Sequence, residues 1–165
     1  MYACFLIFDV DGDFDSVVRS CAIDKEGRSS LLSLAATAES AGLHTLALKN
    51  LTPSVLKKWD VPAILHTKRT MQSTNYDHFE IFLGSVGDSI LILDPYDGVR
   101  WHRSNDLAAR WDGTALAVFD GPLDEAQLTG NKREVMTVIA VVIFVATSVV
   151  AITRVASKRT VFHSK

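Results

Sequence analysis

The chain has 165 residues and a formal net charge of −2, so it lacks the excess of basic residues that is typical of nucleic-acid-binding proteins. Its two cysteines, Cys4 and Cys21, are too few for a disulfide framework or a paired metal motif. This length suits one ordinary domain with an appendage. We therefore expect no nucleic-acid partner, no bound metal and no cofactor.

The first third of the chain has mostly helical patterns. Residues Asp13–Ala22 are compatible with a short helix, and Ser29 or Ser30 is a plausible N-cap for the next one. In that second helix the apolar positions recur at helical spacing, at Leu31, Leu34, Ala35 and Ala38. Gly42 is the residue type that commonly ends a helix.

Strand patterns dominate the rest of the soluble part. We predict a strand over His44–Leu48, a short helix opened by Thr52 and Pro53, a strand over Val61–His66, a strand over Gly98–Arg103, a short helix capped by Ser104 or Asn105, and a strand over Thr114–Phe119. Helices come first and mostly antiparallel strands follow. That order favours an α+β fold over a doubly wound one.

Two apolar runs in the middle of the chain predict an antiparallel hairpin. They flank the turn-forming segment Gly84–Ser89, and they contain His78 and Asp94. If the hairpin is centred near Val86, opposed residues have numbers that sum to about 172, which pairs His78 with Asp94. Opposed side chains share a face of the sheet, so the Asp94 carboxylate would hold one imidazole nitrogen and leave the other to act on a nucleophile.

Near the C-terminus the chain is uncharged from Val135 to Thr153, a length that spans about 28 Å as a helix. We predict a soluble domain over residues 1–120, a polar linker over 121–133, a transmembrane helix over 134–154 and a basic tail over 155–165. The protein would then be a single-pass membrane protein. The alternative is a buried core helix, although core helices are rarely apolar all round over this length.

The side of the membrane on which the domain lies stays open. The heavier basic flank follows the apolar segment, which by the positive-inside rule favours a cytoplasmic tail and an external domain. Met1–Phe8, however, is too short for a signal peptide and lacks a basic region before it. The two signals conflict.

Two further patterns contain residue types that bind metals. The acidic run Asp9–Asp15 fails as an EF-hand loop, because Phe14 and Ser20 stand where Gly and Glu are needed. The histidines at positions 44, 66, 78 and 102 are scattered without ligand spacing. Both patterns argue against a metal site.

Several short segments, in this order, resemble the bacteriocin-processing (double-glycine leader) cysteine peptidases: Gly27–Leu34, Ala41–Leu43, Val61–His66, Asp77–Phe79, Ile92–Pro95 and Trp111–Gly113. The resemblance implies a papain-like fold, with N-terminal helices packed on an antiparallel sheet. It also implies cysteine-type cleavage of a leader peptide and association with an ABC transporter on another chain. By the same resemblance His78 would be the general base and Asp94 its orienting partner.

The nucleophile is the part of the family pattern that this chain does not match. In the family, the catalytic cysteine begins a long helix and a glutamine upstream helps to form the oxyanion hole. By the family's spacing that helix would begin before Met1, and neither that glutamine nor the Asp-Cys-Gly signature occurs here. Cys4 is the nearby thiol and is retained as a candidate nucleophile, although its position in mid-helix would not favour a thiolate.

Two explanations of this departure stay open. An upstream start would supply the cysteine helix, whereas a start at Met1 would make the domain a pseudo-peptidase that binds peptide without cutting it. We therefore expect a membrane-anchored cysteine peptidase-like domain for leader-peptide processing or peptide export. The alternatives are a non-catalytic peptide-binding module and a single-span scaffold partner of an ABC transporter.

Overall fold

The computed structural model describes residues 1–10, 16, 17, 19, 21, 29–122 and 128. Its helices are α1 (Tyr2–Ile7), α2 (Leu31–Ser40), α3 (Pro53–Leu56) and α4 (Ser104–Arg110). Its strands are β1 (His44–Leu48), β2 (Ala63–Thr67), β3 (His78–Val86), β4 (Ser89–Asp94), β5 (Gly98–Arg103) and β6 (Trp111–Phe119).

Parts of the predicted organisation fall outside these residues. The transmembrane helix over 134–154 and the basic tail over 155–165 lie outside them, as do most of the linker over 121–133 and most of the predicted helix over Asp13–Ala22. Among the helices that the structure describes, none combines the length and the apolar character needed to cross a membrane.

The strands form one six-stranded sheet in the order β1-β6-β2-β3-β4-β5, and the neighbouring strands pair antiparallel. The last strand, β6, lies between β1 and β2, so the sheet brings residues that are distant in sequence side by side. The predicted α+β fold with an antiparallel sheet is confirmed.

Each face of the sheet is covered by helices, because the strands alternate their side chains between two apolar cores. One core holds residues of α1 and α2 against the first face, including Cys4, Phe5, Leu34, Ala38, Ile64, Ile81 and Val118. The other core holds residues of α3 and α4 against the second face, including Leu56, Leu65, Phe82, Ile92, Leu107, Ala117 and Phe119.

The start of α2 is fixed by a capping box, which confirms Ser30 as the N-cap. The Ser33 backbone N–H donates to Ser30 Oγ (3.1 Å), and the Ser30 N–H donates to Ser33 Oγ (3.0 Å). The predicted end is also confirmed, since Gly42 follows the helix with a φ of 85° that favours glycine. The start of this helix forms one wall of the groove described below.

The predicted hairpin exists, but its register differs from the expected one. Ile81 pairs with Leu93 and Val86 pairs with Ser89, so the turn is at Gly87 and Asp88 rather than at Val86. Extending this register places Glu80, and not His78, opposite Asp94. The expected pairing was therefore wrong by two residues. The pairs next to the turn are shifted by three, and the β-bulge between Phe82 and Gly84 takes one residue back. Beyond the bulge the shift of two leaves His78 and Asp94 on the same face.

Candidate active site

An open groove crosses one end of the sheet. One wall is formed by the start of α2 at Ser29–Ser33, and the segment before β3 and the turn after β4 form the other. Both His78 and His66 line it, together with Tyr76, Tyr96 and Asp112. The predicted site therefore lies in a groove that is built from several strand ends.

The structure brings His78 and Asp94 into contact, as the hairpin predicted. His78 Nε2 lies 2.8 Å from Asp94 Oδ2, and both side chains are largely buried. If Nε2 carries the proton that this bond shares with the carboxylate, Nδ1 is the basic nitrogen. No hydrogen bond from Nδ1 to another described residue accompanies this contact. The catalytic roles of the two residues stay predictions.

The turn after β4 holds the Asp94 carboxylate in place. Asp94 Oδ1 accepts the backbone N–H of Tyr96 (2.7 Å) and the backbone N–H of Asp97 (3.0 Å). Burial by itself would raise the pKa of Asp94. The hydrogen bond with His78 and these two backbone N–H groups outweigh burial and lower the pKa to about 2. Asp94 is therefore an anion at neutral pH.

A buried ion pair lies beside this contact. Arg110 Nη1 donates to Glu80 Oε1, and only 2% of the Glu80 side chain and 8% of the Arg110 side chain are exposed. The pKa of Glu80 is raised, chiefly by burial, and the hydrogen bond and the charge of Arg110 offset only part of that rise. The neighbouring Asp94 acts in the same direction as burial. The sequence did not predict this pair. The available signal was a charged residue in an otherwise apolar strand, which indicates a buried partner.

His78, Glu80 and Asp94 together have the donor atoms of a metal site. One such atom of each residue lies within 4.8 Å of those of the other two. The Arg110 guanidinium already supplies a positive charge to this cluster, and His78 Nε2 and Asp94 Oδ2 bind each other. The contacts therefore favour an ion-pair network over a site for a metal cation.

The groove contains a second histidine–aspartate pair that sequence analysis did not identify. His66 Nδ1 lies 2.6 Å from Asp112 Oδ2, and about a quarter of each side chain is exposed. Asp112 Oδ1 also accepts the backbone N–H of Thr114 (2.8 Å), which fixes the carboxylate. These residues are 46 positions apart, and only the pairing of β2 with β6 makes them neighbours.

Aromatic rings and cations line the rim of the groove. The Tyr96 ring stacks on His78, with centroids 5.9 Å apart, and the Arg69 guanidinium lies 4.5 Å from the Tyr96 centroid. Lys68 Nζ lies 4.9 Å from the Tyr76 centroid. Leu32, at the start of α2, also lines the groove and is 81% exposed. This rim offers both apolar and polar contacts to a ligand.

Neither cysteine lines the groove. Cys4 is fully buried in the core under α1, and Cys21 is buried in the same core. That core contains Ile81, which lies three residues after His78 on β3, so the two side chains point to opposite faces of the sheet. Burial raises the pKa of Cys4 to about 11, which disfavours the thiolate that a nucleophile needs. The environment of Cys4 therefore argues against its predicted role.

The fold is similar to that of several solved peptidase domains. A double-glycine-motif protease from an AMS/PCAT transporter, solved in complex with the leader peptide, is 22% identical, with a TM-score of 0.60 over 70% of this chain and 76% of that chain. The peptidase domain of Streptococcus ComA, a bi-functional ABC transporter involved in a quorum-sensing pathway, is 16% identical, with a TM-score of 0.61 over 71% of this chain and 85% of that chain.

A third similar structure is the N-terminal peptidase C39-like domain of the toxin secretion ATP-binding protein from Vibrio parahaemolyticus. It is 16% identical, with a TM-score of 0.53 over 73% of this chain and 91% of that chain. None of the curated proteins matches the chain. The family model of the Peptidase C39 family matches residues 8–122, which include the whole sheet and both walls of the groove. The chain belongs to the Peptidase C39 family.

Proposed function

We propose that the groove binds a leader peptide of the double-glycine type, in an extended conformation, for a peptide-exporting ABC transporter on another chain. The observation that carries this proposal is the groove itself, in which the His78–Asp94 and His66–Asp112 pairs lie close to exposed apolar side chains. One similar domain was solved with a leader peptide, and others belong to ABC transporters.

The groove has the contacts that an extended peptide requires. The exposed side chain of Leu32 and the ring of Tyr96 offer apolar surface for peptide side chains. His66, which is held by Asp112, offers its second ring nitrogen to a peptide backbone group. Leader-peptide binding uses these contacts whether or not the peptide is then cut.

Peptide-bond cleavage is the second candidate, and the His78–Asp94 contact favours it. In that reaction Asp94 holds Nε2, and Nδ1 of His78 takes the proton of a thiol, which attacks the peptide carbonyl to form a thioester. His78 then protonates the leaving amine. Since both cysteines of the chain are buried outside the groove, binding is the function that the described residues support best.

We further propose that residues 134–154 anchor the domain to a membrane as a single-pass helix. The support is the uncharged stretch from Val135 to Thr153, with basic residues on both sides. Such an anchor would hold the groove next to a transporter in the same membrane. A scaffold role without peptide binding is the competing function.

A peptide titration distinguishes these functions. A fluorescent double-glycine leader peptide is titrated into the full-length chain, and anisotropy reports binding while mass spectrometry of the same samples reports cleavage. Leu32→Ala removes an exposed groove side chain. Leu6→Ala removes an equally apolar side chain that is 61% exposed and does not line the groove.

We expect the wild type and Leu6→Ala to bind alike. Leu32→Ala should weaken binding about tenfold, since burying a leucine side chain contributes roughly 1.5–3 kcal/mol. Cleavage that disappears in His78→Ala would establish peptidase activity. Binding without cleavage would establish a dock, and a wild type that binds no leader peptide would contradict the proposal.

A further inference from the structure

Glu80 is a buried carboxylate next to the carboxylate that holds His78. It follows His78 by two residues on β3, so both side chains lie on the same face of the sheet. The pairing of Ile81 with Leu93 places Glu80 opposite Asp94 when the register is extended by one residue. One side-chain atom of each of the three residues, a ring nitrogen of His78 and a carboxylate oxygen of Glu80 and of Asp94, lies within 4.8 Å of the other two.

The carboxylates of Asp94 and Glu80 lie close together but have different hydrogen-bond partners. Asp94 uses Oδ1 for two backbone N–H groups and Oδ2 for His78. Glu80 uses Oε1 for Arg110, while its Oε2 is buried without a hydrogen-bond partner among the described residues. A protonated Glu80 would be an O–H donor, and Asp94 is the acceptor beside it. His78 would then share its acceptor with a second donor.

Arg110 is the group that keeps Glu80 from donating a second hydrogen bond to Asp94. It ends α4, and its backbone carbonyl accepts the N–H of Lys68 (2.7 Å), which fixes the end of the helix next to β2. Its guanidinium donates to Glu80 from a position that is almost fully buried. Burial favours the protonated form of Glu80, and the hydrogen bond and the charge of Arg110 oppose it. Without Arg110, a carboxylate in such surroundings takes up a proton.

We propose that Arg110 is a positioning residue for the His78–Asp94 pair: it holds Glu80 ionised, so that Asp94 Oδ2 accepts from His78 and not from Glu80. The inference depends on the proposed function in one respect only, which is what the ordered histidine does to a bound peptide. The arrangement of Arg110, Glu80 and Asp94 is itself independent of any peptide.

Other charged and titratable groups nearby have contacts of their own. Arg100 pairs with Asp97 (3.3 Å), and Arg69 lies over the ring of Tyr96, which stacks on His78. His102 on β5 is half-buried, and burial lowers its pKa, with the charge of Arg110 acting in the same direction. Among the described residues, Arg110 is the cation that contacts Glu80.

The test reads the His78–Asp94 hydrogen bond directly. In protein labelled with ¹⁵N-histidine, a ring N–H that donates to a buried carboxylate gives a downfield proton resonance, and His78→Gln identifies the one from His78. This resonance is recorded for the full-length wild type, Arg110→Met and the double variant Glu80→Met with Arg110→Met. Lys57→Met, which removes the exposed ion pair with Asp88, is the matched control.

We expect the resonance in the wild type and in Lys57→Met. Arg110→Met should lose or shift it, because Glu80 then takes up a proton and donates to Asp94. The double variant should restore it, because the competing carboxylate is gone and buried ion pairs are often replaced by apolar residues without loss of stability. An unchanged resonance in Arg110→Met, or no restoration in the double variant, would overturn the inference.

A second variant keeps the inference testable if Arg110→Met does not fold. Glu80→Gln is nearly isosteric, and its amide N–H₂ can donate to Asp94 as a protonated Glu80 would. It should therefore shift the His78 resonance as well, and an unshifted resonance would contradict the inference. The spectra need no peptide, so an outcome in which the chain binds no leader peptide would overturn the proposed function alone.

Discussion

Asp94 accepts three hydrogen bonds with two oxygens. The backbone N–H groups of Tyr96 and Asp97 bind Oδ1, and His78 binds Oδ2. The geometry is local, since the turn after β4 supplies two of the three donors. Asp94 is therefore held as an anion in one orientation, and His78 is held by it.

Replacing Asp94 by asparagine should make the protein less stable at neutral pH. The pKa of about 2 lies below the ordinary value of an aspartate, so the carboxylate contributes stability above about pH 4 and loses it as the pH falls towards 2. We expect Asp94→Asn to lower the free energy of unfolding by roughly 2–3 kcal/mol at pH 7. Urea unfolding at neutral and at acidic pH measures it.

The unfolding measurement on Asp94→Asn has a matched control. Asp97→Asn removes an exposed carboxylate whose partner, Arg100, is also exposed, and it should cost much less at either pH. The difference between wild type and Asp94→Asn should shrink in acid. An equal difference at neutral and at acidic pH would contradict the assigned cause of the low pKa.

The thiol of Cys4 should be inert in the folded protein. It is fully buried, and its pKa of about 11 leaves almost no thiolate at about pH 8. We expect iodoacetamide to leave Cys4 unmodified in the native state and to modify it in urea, as followed by peptide mass spectrometry. Rapid native-state modification of Cys4 would restore it as a candidate nucleophile.

At the scale of secondary-structure elements, β6 passes close to the segment before α3 at a glycine. Gly113 in β6 has a φ of 78°, and a Cβ there would lie 2.8 Å from the carbonyl oxygen of Leu51. Leu51 donates its backbone N–H to the Gly113 carbonyl (3.0 Å). The neighbouring residues Asp112 and Thr114 line the groove, so this contact shapes it.

Gly113→Ala should therefore lower the free energy of unfolding by more than the positive φ alone explains. Gly98 has a similar φ of 76°, and a Cβ there would have no other atom within 4 Å, so Gly98→Ala isolates the cost of the angle, roughly 1–2 kcal/mol. We expect a clearly larger loss for Gly113→Ala in thermal or urea unfolding. Equal losses would show that the contact with Leu51 adds nothing.

Most elements of the fold follow from local sequence signals. The capping box at Ser30, the glycine after α2 and the alternation of the strands each depend on a few adjacent residues. The hairpin register does not, because it depends on the turn at Gly87 and Asp88 together with the β-bulge between Phe82 and Gly84, which leave the pairs near Asp94 shifted by two. The face on which His78 and Asp94 meet was predictable, whereas their pairing was not.

At the scale of the whole molecule, the fold decides which charged residues meet. His66 meets Asp112 only because β6 returns to lie beside β2, and Glu80 meets Arg110 across 30 positions. A local pattern can indicate that Glu80 needs a buried partner, but it does not identify that partner. The pair within one hairpin was therefore predictable from the sequence, whereas the two pairs that depend on long-range topology were not.

The proposed membrane anchor also belongs to this scale. Placing arginine at Ala140 and Phe144 should release the chain from membranes, since each charge at the centre of a span costs roughly 2.5–3.5 kcal/mol. Ser157→Arg, in the basic tail, is the control and should leave the chain in the membrane fraction. Carbonate extraction measures both, and a wild type that is released by carbonate would contradict the anchor.

The most direct test of peptide binding is to map where a leader peptide contacts the protein. Backbone amide shifts of the full-length chain are recorded while an unlabelled double-glycine leader peptide is added. Binding in the groove predicts shifts at the start of α2, at Tyr76 and at Tyr96, and none at Trp101, which lies on the edge strand β5. Shifts confined to β5, or no shifts at saturating peptide, would contradict the account.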